Sequence, residues 1–133
     1  METSVNSRKA FTSIEQSEEL EKVLPQESSD MYYLYWKEDN HLANPDPFVA
    51  DGTEEREDGL YTYLSSWSLT ALLNLLPTLN DRNAILCKDI RFDKWHVCYH
   101  STATLPIIDT ERYDNPVDAC VEMITKLNDF KLL

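Results

Sequence analysis

Glycine is nearly missing from this chain: 133 residues contain 2, Gly52 and Gly59, at the two ends of one short segment. So few glycines limit tight left-handed turns, and with no Walker pattern they argue against a glycine-rich phosphate loop. A nucleophile elbow and a His-Glu-x-x-His pair are missing as well, so the chain reads as non-enzymatic. No apolar run is long enough to cross a bilayer, and no cationic leader precedes an apolar stretch. The expectation is a soluble, cytoplasmic protein with no membrane contact. Cysteine is limited to Cys87, Cys98 and Cys120, an odd number without framework spacing, which suits reduced thiols.

Cationic side chains are scarce too, with 12 Lys and Arg against 24 Asp and Glu, a formal charge of −12. The imbalance is uneven: residues 1–66 hold 15 acidic and 5 basic side chains, residues 67–133 hold 9 and 7. Phosphate backbones and anionic lipids repel such a surface, so no direct nucleic-acid binding is expected. A protein partner fits better. Either it is basic, or it is a DNA-acting enzyme that a nucleic-acid-mimicking surface would inhibit.

What is present is enough apolar residue, 42%, for one core. A chain near this length buries roughly two thirds of its unfolded surface. The expected layout is a flexible N-terminus over residues 1–11 and one α+β domain over 12–133. Thr12-Ser13-Ile14-Glu15 reads as a capping box for an acidic helix that Pro25 ends. Met31–Trp36 and Leu60–Leu64 alternate as strands. Between them, residues 37–59 form an acidic loop with 8 carboxylates, in which Asp51-Gly52 permits a hairpin turn.

Ser65 and Ser66 offer caps for a Leu-rich helix over Trp67–Leu76 that Pro77 stops, and its wide apolar circumference predicts burial. Residues 84–90 and 94–100 read as an antiparallel hairpin, and Leu105–Ile108 as a short edge strand. Asn115-Pro116-Val117-Asp118 spells the start of a C-terminal helix: a cap, a proline at the first position and a carboxylate in the first turn. Its stripe of Val117, Cys120, Val121, Ile124 and Leu127 needs a core. The fold class expected is therefore α+β, a small antiparallel sheet of three to five strands packed against a central Leu-rich helix and a C-terminal amphipathic helix.

Three groups could carry function. His96, Cys98 and His100 share one face of a strand, and a two-residue hairpin loop would set Cys87 opposite Cys98; the expectation is an ordinary sheet face with no cofactor, and zinc on these four ligands is the alternative. Asp51–Gly59 is rich in oxygen ligands but lacks the spacing of a calcium loop, and reads as a solvated charged segment. Aromatics are abundant. One set, Tyr33 and Tyr35 with Tyr61 and Tyr63, is expected either at an exposed protein-binding surface or in an aromatic-rich core with hydroxyls reaching water.

Thr12–Ser17 leading to Asp30-Met31-Tyr32-Tyr33, then Trp67–Pro77, then Asp114–Ala119, occur in an order that resembles a widespread group of uncharacterised small proteins from gut anaerobic bacteria and their phages and mobile elements. The resemblance implies a shared fold and a phage or mobile-element setting. That group has no activity to transfer. His96, Cys98 and His100 stand outside its pattern, and residues 37–59 look like a variable insertion. The function expected is that of a small, acidic, intracellular protein-binding module.

Overall fold

A computed structural model describes residues 9–50, 59–104 and 106–133. The elements are α1 (Ile14–Glu21), β1 (Met31–Trp36), β2 (His41–Leu42), β3 (Phe48–Val49), β4 (Tyr61–Ser66), α2 (Leu69–Leu75), β5 (Ile85–Asp89), β6 (Lys94–Tyr99), β7 (Ile108–Asp109) and α3 (Pro116–Asp129). This is the expected α+β class, with the strands divided between two antiparallel sheets of four and three. The chain gathers into two compact units, Phe11–Ala71 and, with Lys9 and Ala10, Leu72–Leu133.

In the Phe11–Ala71 unit, β1 is the central strand. All six of its residues pair with β4, from Met31↔Ser66 to Trp36↔Tyr61. Its other edge is shared by β2 at Tyr35 and Trp36 and by β3 at Met31 and Tyr32. The segment after β1 is thus partly ordered by strand pairing up to Ala50, while the acidic stretch from Asp51 to Asp58 lies outside the described residues. Helix α1 is capped one residue later than the sequence suggests. Ser13 accepts from the Gln16 N–H, and the Gln16 side chain accepts from the Ser13 N–H.

The displaced Thr12 has a different task. Its Oγ1 lies 2.8 Å from Ser17 Oγ and 3.1 Å from Ser66 Oγ, and it accepts from the Trp67 N–H at 3.1 Å. All four residues are fully buried, so this hydroxyl cluster satisfies polar groups that would otherwise lose water without compensation. The expected caps Ser65 and Ser66 belong instead to β4, and the Leu-rich helix begins at Leu69. Ser68 takes over the cap: its Oγ accepts from the Ala71 N–H, and the Asp30 carboxylate accepts from both the Ser68 N–H and hydroxyl. Helix α2 is a short seven-residue element in which Leu72 is the buried leucine.

In the other unit, α3 packs on β6. Asn115 accepts from the Asp118 N–H and Pro116 opens the helix, as the sequence predicts. Val117, Ala119, Cys120, Met123, Ile124 and Leu127 are fully buried, and Val97, Tyr99 and Ile108 close the core from the sheet. Strand order is β5-β6-β7.

Among the described residues, tight turns form without glycine by using Asn and Asp. Asn80 and Asp81, with φ 46° and 66°, make a two-residue turn between Leu79 and Arg82, which exchange both backbone hydrogen bonds at 2.8 Å. Both central residues having positive φ is the I′ geometry that suits a hairpin, and short polar side chains tolerate it best after glycine. Asn40 and Asp93 serve the turns before β2 and β6 in the same way, with φ 54° and 53°.

Candidate functional site

The β5–β6 hairpin pairs Asp89 with Lys94, so four residues rather than two connect the strands. The register therefore slides by two from the one a minimal loop would give: Cys87 faces His96, and Ile85 faces Cys98. A slip of two keeps every side chain on its own face. Cys87, His96 and Cys98 consequently stay together, each offering one ligand atom, and these atoms all lie within 4.8 Å of one another. His100 does not join them; it is exposed and follows the last residue of β6.

Strand β7 adds a residue the sequence did not flag. Asp109 pairs with Cys98, and its Oδ1 lies 2.8 Å from His96 Nδ1. Arg112 Nη1 donates to the other oxygen, Oδ2, at 3.3 Å. Burial alone would raise the Asp109 carboxyl, but the His96 hydrogen bond and the Arg112 guanidinium hold it below its ordinary range. Burial pushes the Cys98 thiol up to about 11, with the neighbouring Cys87 adding to the effect. Chemically, the cluster offers two sulfurs and one imidazole, a set suited to borderline-soft divalent metals. No sequence signal pointed to Asp109, because its approach depends on the pairing of a two-residue strand.

The aromatic surface is assembled differently from the expected set. Tyr33 is only 3% exposed and its hydroxyl donates to the Thr12 carbonyl at 2.8 Å, so it belongs to the interior. Burial, with Asp46 and Tyr35 nearby, raises its hydroxyl to about 12. Tyr35 shares that face of β1. Tyr61 and Tyr63 lie on the opposite one, because they pair with Trp36 and Leu34. The rings that do cluster there are Phe48, Tyr32 and Tyr63, with centroids 5.6 and 4.9 Å apart along the row, and Trp36 against Tyr61 at 4.6 Å. Trp36 and Phe48 are 41% and 39% exposed.

The unit bearing this face is also the acidic one. Phe11–Ala71 holds 14 acidic and 3 basic side chains, a charge of −11, whereas the remainder of the chain, with 10 and 9, is at −1. No helix among the described residues is long and apolar enough to cross a membrane. No protein-family model, curated protein or solved structure matches the chain.

Proposed function

We propose that this chain is a small, acidic, non-enzymatic binding module of the cytoplasm, and that it engages a basic, arginine-containing segment of another protein. The observation that carries this reading is the coincidence of the exposed Trp36 and Phe48 rings with the unit that holds −11 of the −12 charge. Arginine suits both features. Its planar, weakly hydrated guanidinium stacks on aromatic faces, and its charge is drawn by carboxylates over roughly 8–10 Å at ordinary salt. Trp36 against the tilted Tyr61 ring, and Phe48 stacked on Tyr32, are rings already held in place by ring contacts, so little side-chain freedom is lost on binding.

A fluorescein-labelled peptide alternating Arg and Leu tests the reading by anisotropy. It is expected to bind more tightly than its Lys and Leu counterpart, and the Trp36→Ala, Phe48→Ala double variant is expected to weaken it by roughly tenfold or more. Equal affinity of the two peptides, together with no loss in the double variant, would overturn it. Binding that collapses with salt yet ignores both rings points instead to mimicry of a nucleic-acid surface.

A further inference from the structure

We propose that Cys87, His96 and Cys98 bind a zinc-class divalent ion, with Asp109 holding His96 by Nδ1 so that Nε2 is the ligand. This site lies in the Leu72–Leu133 unit and is independent of the binding face above. Three features of the sheet converge on it.

The first is spacing. Zinc with two sulfurs at about 2.3 Å and one nitrogen at about 2.0–2.1 Å holds its ligand atoms about 3.5–3.8 Å apart. The two sulfurs and a ring nitrogen of His96 already lie within 4.8 Å of one another, so side-chain adjustment closes the shell without moving a strand. Side chains on a single strand tend to spread too far for this. The observed register answers that difficulty by taking one sulfur from β5, directly across from His96.

The second is the partner of His96. Metal-binding histidines characteristically donate their second ring N–H to a carboxylate, which fixes the tautomer and aims the remaining lone pair. Asp109 occupies that position at 2.8 Å, and Arg112 in turn steadies its other oxygen. An ionised carboxylate only accepts hydrogen bonds, so Nδ1 carries the proton and Nε2 is left for a metal.

The third is the choice between metal and disulfide. Cys87 and Cys98 are diagonal neighbours, since each faces a different residue across the hairpin, and both are free thiols. The two thiols approach closely enough for a side-chain hydrogen bond, but diagonal positions are more widely spaced at the backbone than directly opposed ones, which disfavours a bond of about 2.05 Å and suits an ion between the sulfurs. Charge balances as well: two thiolates neutralise one divalent ion, while Asp109 and Arg112 neutralise each other. With three protein ligands, the fourth position is open to water.

Cobalt(II) titration of the full chain, stripped with chelator and reduced, tests the assignment. One equivalent is expected to give tetrahedral visible bands with thiolate-to-cobalt charge transfer, and zinc is expected to displace it. Cys87→Ser and His96→Gln should each abolish that spectrum while the near-ultraviolet circular dichroism of Trp95 and its surroundings persists. Asp109→Asn should keep the charge transfer and weaken zinc 10–100-fold in chelator competition, the range expected for loss of an outer-shell partner. His100→Ala should change nothing. No thiolate charge transfer in the wild-type chain, or an unchanged spectrum in His96→Gln, would overturn the proposal.

Discussion

His96 Nδ1 lies 2.8 Å from Asp109 Oδ1, a contact between neighbouring strands that are joined by a long connection and share only two paired positions. The pairing of Cys98 with Asp109 sets the carboxylate beside the histidine, and the hairpin register sets Cys87 on its other side. A chemical cluster thus arises from two independent strand pairings.

The three cysteines should differ sharply in reactivity. Cys87 is half-buried, whereas burial raises the Cys98 thiol to about 11 and the Cys120 thiol to about 12. Only the thiolate attacks an alkylating agent. A short iodoacetamide pulse at neutral pH, read by peptide mass spectrometry, should label Cys87 first and Cys120 last. Labelling of Cys120 at the rate of Cys87 would show that α3 is not packed as described.

Glu122 should make stability depend on pH in the acid range. Burial alone would raise its carboxyl, but the Tyr113 hydroxyl, the Glu111 N–H and Lys126 bring it below the ordinary 4.5. A lowered folded-state value means the unfolded chain takes up the proton first, so stability is present above about 4.5 and falls as pH drops through the folded value. Glu122→Gln should therefore cost about 1–2 kcal/mol in urea unfolding at pH 7. The difference from wild type should shrink towards pH 3. A constant difference across that range would place the effect in packing rather than charge.

The hydroxyl cluster around Thr12 should be costly to disrupt. Thr12→Val keeps the shape but leaves the buried Trp67 N–H without its acceptor at 3.1 Å. Loss of about 1–3 kcal/mol is expected, the penalty of a stranded buried donor. Ser13→Ala removes the half-buried cap of α1 and should cost about 1 kcal/mol. Urea denaturation of the two variants gives the ordering directly.

Lys131 is an opportunity for stabilisation. It follows α3 with φ 60°, while Leu132 N–H donates to the Leu127 carbonyl at 2.8 Å, the hydrogen bond of a glycine-type helix end. Lys131→Gly should remove left-handed strain and raise stability by about 1 kcal/mol. Lys131→Val, with a branched Cβ, should lower it.

Legibility in the sequence followed the range of the interactions. The start of α3 was readable because Asn115, Pro116 and Asp118 act within one turn, and the stripe through Cys120 and Ile124 reports burial by spacing alone. Strand parity was readable for the same reason, so Cys87, His96 and Cys98 could be placed on one face. Their true neighbours could not, since a loop of four rather than two shifts the register without leaving a mark in the alternation. Alternation alone leaves open which faces of β1 and β4 coincide, because the two strands can pair in either parity, and only the observed Trp36↔Tyr61 register sets Tyr33 and Tyr61 on opposite faces. Ser68, not Ser65 or Ser66, became the cap of α2 because Asp30, far away in sequence, accepts from it.

Amide chemical-shift mapping tests the central claim, that the aromatic face of the acidic unit is the binding surface. On titration with the Arg and Leu peptide, the largest shifts should fall on Trp36, Phe48 and Tyr61 and on their β1, β3 and β4 neighbours. Shifts confined to the exposed carboxylates of α1, Glu15, Glu18 and Glu19, would contradict it, because they would mark charge attraction without a site.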